Sequence, residues 1–213
     1  MSPDDASTAR TPPGLPEIQL ISDHYINWAS LAQIHYPPVA SVVLGFRRED
    51  VAHPLDGFGM LIPEVEGFNI LGTIFSSTLF PNRAPKGHVT LTSYLGGTRS
   101  PELAFLSPDQ LVEITLNDLR SILGVTGSPT FQHTALFRKA IPQYEVGYGR
   151  FQHLMNVVEE RAPGFYLAGH YRNGIALGDS MCSGHDVAER IQSFLGDASN
   201  SSETEHRGSS QCR

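Results

Sequence analysis

Residues 164–179, GFYLAGHYRNGIALGD, constrain the fold of this chain more than any other stretch. The apolar run from Phe165 to Ala168 predicts a buried strand that ends at Gly169. Residues 187–195 then carry apolar side chains at helical spacing, which predicts a helix. The order is therefore strand, glycine-rich turn and helix, although an ordinary strand-to-helix connection has the same spacing.

A turn of this kind is a candidate ligand site. Its backbone N–H groups and the positive end of the helix dipole would lie toward whatever is bound above the strand. Gly174 has no side chain, so a flat ligand could approach the backbone closely.

Composition narrows the class of protein. The length of 213 residues is enough for one sizeable domain or two small ones. The content of 40% hydrophobic and 17% charged residues is typical of a globular protein with a core. A formal net charge of −7 argues against a nucleic-acid partner. Two distant cysteines, Cys182 and Cys212, favour a reducing compartment. No run is long enough to span a membrane and no secretory pattern opens the chain, so we expect an intracellular protein, cytoplasmic or peripheral on a membrane.

Apolar patterns divide most of the remaining chain into strands and helices. Strands are predicted at residues 39–46, 69–76, 88–95 and 130–141, with an antiparallel pairing of the second and third. Helical patterns cover residues 18–34 and 150–161. The polar segments 1–17 and 197–213 are predicted to be a disordered leader and a disordered tail.

The best-defined helix is expected to begin after Ser107. Ser107 suits the N-cap, Pro108 the first turn, and Gln110 the third position of a capping box. Gly124 supplies the stop. This helix is predicted to be scaffold.

Several catalytic and metal-binding patterns are missing from the sequence. None of the nine histidines has metal-ligand spacing to another, and no Cys-x-x-Cys occurs. Gly178-x-Ser180 begins like a nucleophile elbow, but Cys182 stands where its closing glycine belongs. Gly147-Tyr148-Gly149 lacks the third glycine of a dinucleotide-binding turn. No catalytic residue is assigned.

Three ordered stretches carry a family resemblance. They are residues 164–179, residues 57–85 with GFGMLIP and LGTIFSSTLFPNRAP, and residues 140–148, AIPQYEVGY. Together they resemble the protoporphyrinogen oxidase family of the flavin-containing amine oxidase superfamily, over roughly residues 18–195. The resemblance is to the C-terminal part of that family, which follows its nucleotide-binding half.

The resemblance implies a fold class and a division into parts. The class is α+β (α/β-like), with a mixed sheet flanked by helices and a C-terminal strand–turn–helix. Residues 18–149 would be a portion of the substrate-binding domain. Residues 150–196 would complete an FAD-binding domain whose N-terminal half is absent from this sequence.

The resemblance also implies a function and a set of site residues. The family oxidises protoporphyrinogen IX to protoporphyrin IX with FAD, and oxygen reoxidises the flavin. Flavin contacts would come from Gly174, Ile175 and Ala176, and from Leu136 or Phe137 where the family has a large residue. The expected substrate contacts are Leu61, Ile74 and Tyr94, which without the resemblance would be taken for core residues.

Other functions and partners stay open at this point. The chain could belong to another amine oxidase-superfamily flavoenzyme, or be a non-catalytic tetrapyrrole-binding module. A partner chain could supply the N-terminal half, the protein could form a homodimer, and a greasy substrate would suit peripheral contact with a membrane. The chain by itself is expected to have little activity.

Overall fold

A computed structural model describes residues 29–208, and residues 197–208 by their backbone alone. The predicted leader and residues 18–28 of the first helical pattern lie outside the described residues. The rest of that pattern forms a short 3₁₀ helix, Ala29–Gln33, which ends ahead of Pro37. Further 3₁₀ turns occur at Arg48–Asp50, Glu64–Glu66 and Pro101–Phe105.

Five strands form one sheet with the order β2-β3-β4-β1-β5. Their bounds are β1 Val39–Arg47, β2 Gly59–Leu61, β3 Ile70–Ile74, β4 His88–Gly96 and β5 Phe131–Phe137. Every neighbouring pair is antiparallel, so the expectation of a mixed sheet is wrong for the described residues. Buried apolar side chains cover only one face of this sheet, whereas parallel sheets are normally covered on both faces.

Alternation along the strands gives the sheet one covered face and one open face. Ala40, Val42, Leu44 and Phe46 of β1 are fully buried in the main core. The residues between them point to the opposite face, because successive strand side chains alternate. That second face carries the candidate site described below.

The covered face packs against α2, Pro108–Leu123. The predicted capping box is present: Ser107 accepts from the Gln110 amide and Gln110 accepts from the Ser107 amide. Gly124 ends the helix in the left-handed conformation, with φ of 61°. These sequence predictions are confirmed.

The remaining helices are α1 Ser76–Leu79, α3 Gly149–Arg161, α4 His170–Asn173 and α5 Leu177–Gly208. The strand predicted at residues 165–168 is wrong: among the described residues no strand pairs with this extended segment. Its Leu167 amide instead donates to the Glu159 carboxylate at 2.7 Å.

The C-terminal helix is longer than expected. It begins at Leu177, about ten residues ahead of the predicted apolar face, and continues to Gly208 through most of the predicted tail. No proline follows residue 163, so nothing in the backbone blocks the helix. Residues 209–213 lie outside the described part of the chain.

Two separate hydrophobic clusters stabilise the structure. The larger joins the sheet to α2. The smaller is formed by Ile34, Tyr148, Phe151 and Met155, with Leu31, Tyr36, Leu167 and Tyr171 around it. Residues 31–36 therefore pack with the C-terminal helices rather than with the sheet that follows them.

Candidate functional site

An apolar cavity of about 630 Å³ lies on the open face of the sheet. Strands β2, β3 and β4 form its floor, and Phe137 with Ala140 and Ile141 forms one wall. Its size and lining suit a flat, mostly apolar ligand.

Strand register brings the three predicted substrate residues together in this cavity. Leu61 pairs with Gly72, which pairs with Tyr94, and Ile74 lies two residues along β3 from Gly72. Residues two apart or directly paired share a face, so the three side chains all line the cavity. None is fully buried, and Leu61 is 90% exposed. They are therefore not ordinary core residues.

Gly72 lets β2 and β3 lie close together at the floor. A Cβ at Gly72 would lie 2.5 Å from the Met60 carbonyl oxygen and 3.2 Å from the Leu61 Cα. Any side chain here would push β2 away and fill the space between Leu61 and Tyr94. The floor thus depends on this glycine.

Strand β5 separates the two residues proposed for the flavin contact. Phe137 pairs with Val39 and lines the cavity. Leu136 pairs with the buried Ala40, so its side chain points to the α2 face of the sheet. The structure brings Phe137, and not Leu136, to the predicted substrate residues.

A second cavity of about 690 Å³ continues along the same face, and the two share Ile74 and Tyr94. It is lined by more polar groups, among them Arg83, His88, Thr90 and Thr92. The sequence analysis missed it. The available signal was the alternation HVTLTSY at residues 88–94, in which His88, Thr90, Thr92 and Tyr94 share the face opposite the buried Val89 and Leu91.

The glycine-rich turn is held by Tyr144. Its hydroxyl accepts a hydrogen bond from the Gly174 amide at 3.0 Å and donates to the His170 carbonyl at 2.6 Å. Gly174 has φ of 142°, which favours glycine. Ile175, next in the chain, is half-exposed at the surface.

Residues 174–176 do not line either cavity on the sheet. The motif at residues 140–148 connects the two regions, because Ala140 and Ile141 line the apolar cavity while Tyr144 holds the turn. The predicted cofactor and substrate residues therefore lie at the two ends of one motif.

The turn at residues 174–176 is the segment that the sequence predicts to contact a flavin. Ile175 and the first turn of α5 are exposed, so a planar ring could lie against this backbone. The Asp179 carboxylate accepts a hydrogen bond from the Ala176 amide at 3.1 Å. This bond caps the start of α5, so the Ala176 N–H is not available to a ligand. The sequence holds no glycine-rich turn for the pyrophosphate.

A cluster of tyrosines packs beneath the turn. Burial, reinforced by the neighbouring Tyr144, Tyr36 and Tyr171, raises the pKa of Tyr148 to about 12. Burial also raises the pKa of Tyr36 and of Tyr171. The Tyr148 hydroxyl donates to the Tyr171 carbonyl, so the phenol stays neutral and acts as a structural donor.

A buried carboxylate ties the C-terminal helices together. The Glu159 side chain is only 6% exposed and pairs with Arg172 at 3.0 Å and Arg190 at 2.6 Å. Because Glu159 also accepts from the Leu167 amide, it links α3, the extended segment and α5.

Neither a cluster of metal ligands nor a membrane-spanning helix occurs in the part of the chain that the structure describes. It contains no group of three or more His, Cys, Asp or Glu side chains placed to hold a metal ion. None of its helices is long and apolar enough to cross a bilayer. Cys182 is a free, exposed thiol.

Comparison with known proteins identifies the class. The model of the flavin containing amine oxidoreductase family matches residues 12–192. The chain belongs to that family, and its antiparallel sheet with flanking helices is consistent with the fold of these FAD-dependent enzymes.

Within the family, the chain is similar to protoporphyrinogen oxidases. It is 39% identical to protoporphyrinogen oxidase 2, chloroplastic/mitochondrial, of Arabidopsis thaliana, over 80% of this chain and 34% of that protein. It is 38% identical to the mitochondrial protoporphyrinogen oxidase of Nicotiana tabacum, over 78% of this chain and 33% of the relative. The chain thus spans about a third of the length of the curated relatives it matches.

A solved structure agrees with the fold. A protein from Exiguobacterium sp. 255-15, provisionally named protoporphyrinogen oxidase, superposes with a TM-score of 0.66 and 24% identity. The match covers 82% of this chain and 38% of that one.

Proposed function

We propose that this chain forms the substrate-binding side and the flavin-closing edge of an FAD-dependent protoporphyrinogen oxidase. The observation that carries the proposal is the open apolar cavity on which Leu61, Ile74, Tyr94 and Phe137 converge. A tetrapyrrole is large, flat and mostly apolar, so such a surface would bind it by removing apolar area from water. The plant relatives support this choice of substrate by name.

Each part of the site has a separate task in this proposal. Leu61 and Ile74 would lie against the substrate. Tyr94 would contact the substrate at the point where the two cavities meet. The backbone of Gly174, Ile175 and Ala176 would lie against the flavin. On the sheet side, the flavin contact would come from Phe137 and not from Leu136, because only Phe137 lines the cavity. FAD, when bound, would accept the electrons that the substrate gives up.

The proposed division places residues 18–149 with the substrate and residues 150–196 with the FAD. The two separate hydrophobic clusters support two parts, since the larger lies wholly within residues 40–125. Residues 31–36 belong with the second part by their packing. The nucleotide-binding residues would come from an N-terminal half or from a partner chain.

The plant relatives have chloroplastic and mitochondrial locations in their names. We therefore infer an intracellular location, with the tetrapyrrole as the small-molecule partner. The net charge of −7 gives no basis for a nucleic-acid partner.

The direct test is titration of the purified chain with protoporphyrin IX, followed by the porphyrin absorbance and fluorescence, with FAD titrated in parallel. We expect saturable porphyrin binding, weak FAD binding, and almost no oxidation of protoporphyrinogen IX. No porphyrin binding would overturn the proposed function. Robust oxidation by this chain alone would contradict the incomplete cofactor site.

Adding a chain that carries the family's nucleotide-binding half distinguishes the two alternatives. Recovery of protoporphyrinogen oxidation would support the enzyme. Porphyrin binding with no FAD affinity, even in that mixture, would favour a non-catalytic tetrapyrrole-binding module. Turnover of an amine in place of the porphyrinogen would favour another flavoenzyme of the superfamily.

A further inference from the structure

We propose that Arg83, with His88 of the same polar cavity, binds a carboxylate of the tetrapyrrole whose rings lie in the apolar cavity. This inference rests on the proposed function, because it assigns the orientation of the ligand in the same groove. It adds a charged subsite at the opposite end of the groove from Phe137.

The apolar and polar cavities form one continuous groove. The apolar cavity and the polar cavity share Ile74 and Tyr94, so a ligand lying over these two side chains would extend into both. A porphyrinogen has an apolar ring system with propionates along one edge. Such a molecule has the polarity of the groove, apolar at one end and charged at the other.

The polar end of the groove carries positive charge. Its lining includes the guanidinium of Arg83 and the imidazole of His88, and it contains no aspartate or glutamate. No carboxylate forms an ion pair with Arg83 among residues 29–196, whose side chains the structure describes. A free guanidinium in a water-accessible groove is a good partner for a planar carboxylate.

Hydrogen bonds hold the loop that carries Arg83. The Thr90 hydroxyl donates to the Arg83 carbonyl at 2.9 Å, and the His88 amide donates to the Pro85 carbonyl at 3.0 Å. Asn82 takes a left-handed conformation with φ of 63°, which sets the direction of the loop. The guanidinium lies over the Phe80 ring, 5.5 Å from its centroid.

Hydroxyl groups complete the polar end. Ser76 and Thr92 form a hydrogen bond of 2.7 Å between their side chains, and both line this cavity. They would solvate the carboxylate edge without competing for Arg83, because neither carries charge.

The test compares two ligands and three variants, Arg83→Gln, His88→Gln and Arg120→Gln, by equilibrium titration in the same detergent buffer. The ligands are protoporphyrin IX and its dimethyl ester, which differ only in the two carboxylates. Arg83→Gln should weaken binding of the acid about fivefold and leave the ester within about twofold. Arg120→Gln, on the exposed side of α2, is the matched control and should change neither.

The outcomes separate this inference from the proposed function. If the unaltered chain binds neither porphyrin, the proposed function fails. If it binds both, and Arg83→Gln weakens acid and ester equally or changes neither, only the carboxylate subsite is overturned. A His88→Gln variant that also lowers acid binding selectively would support the two-residue subsite, and equal effects on acid and ester would remove His88 from it.

Discussion

Leu61 exposes 90% of its surface at the rim of the apolar cavity, on the short edge strand β2. A leucine this exposed contributes little to folding, so its effect should appear on ligand binding. Leu61→Ala should weaken porphyrin binding by about 1–2 kcal/mol, roughly 5- to 30-fold, with an unchanged Tm.

Val65 gives a matched control for that prediction. It is 89% exposed on the next turn but does not line the cavity. Val65→Ala should leave both affinity and Tm unchanged. Equal losses of affinity in the two variants would show that the cavity is not the binding surface.

Tyr148 should make the protein sensitive to alkaline pH. Burial raises its pKa from 10.0 to about 12, so above pH 10 the unfolded chain loses this proton while the folded chain keeps it. Its contribution to stability is therefore complete below about pH 10 and is lost as the pH rises toward 12. Urea unfolding from pH 8 to 11.5 should show this loss.

Replacement of Tyr148 tests the source of that effect. Tyr148→Phe should be less stable near pH 8 by about 1 kcal/mol, because the hydrogen bond to the Tyr171 carbonyl is removed. Its stability should also fall less steeply above pH 10. An alkaline profile with the same slope as that of the unaltered protein would contradict the assignment.

The Asp118 carboxylate forms hydrogen bonds between helix α2 and the start of strand β3. Asp118 is 6% exposed and accepts from the Asn69 and Ile70 amides at 2.8 and 2.9 Å. Asp118→Asn should lower the free energy of unfolding by about 2 kcal/mol, because the Asn69 amide and the buried Ile70 amide lose a charged acceptor. Glu113→Gln on the exposed side of α2 is the control, and an equal loss there would refute the role of Asp118.

The C-terminal helices depend on Glu159 in a similar way. Glu159→Gln should destabilise the protein by about 2–3 kcal/mol, since it weakens the pairs with Arg172 and Arg190 and the bond to the Leu167 amide. Glu160→Gln, exposed on the same helix, should change stability by less than about 0.5 kcal/mol. Chemical denaturation distinguishes them, and a Glu159→Gln protein as stable as the control would contradict this account.

Elements with local signals could be predicted from the sequence, and elements defined by distant partners could not. The capping box of α2 needs only Ser107 and Gln110, so it was predicted correctly. The strand expected at residues 165–168 depended on a neighbouring strand that the described residues do not contain. The early start of α5 was missed because residues 177–186 are mostly exposed and show no apolar face.

The same distinction holds for the candidate site. Alternation along strands of known register would suffice to place Leu61, Ile74 and Tyr94 on one face, but only the fold supplies the register. The opposite directions of Leu136 and Phe137 also follow from register with β1. The polar cavity around Arg83 brings a loop and residues of four strands together, which no local pattern predicts.

At the scale of the whole molecule, one face of the sheet packs in the hydrophobic core and the opposite face is open to a ligand. The covered face holds the larger hydrophobic cluster, and the open face carries both cavities. The turn at Gly174 lies outside these cavities. Residues 140–148 connect the two, because Ala140 and Ile141 line the apolar cavity and Tyr144 accepts a hydrogen bond from the Gly174 amide. We propose that the open face binds the tetrapyrrole.

Hydrogen–deuterium exchange with and without protoporphyrin IX tests that claim most directly. Strand β2 is a three-residue edge strand, so its amides should exchange quickly in the free chain and slowly under a bound ligand. We predict protection of residues 58–62, 71–74 and 137–141, with little change in α2. Protection confined to α3 and α5, or none at saturating porphyrin, would contradict the account.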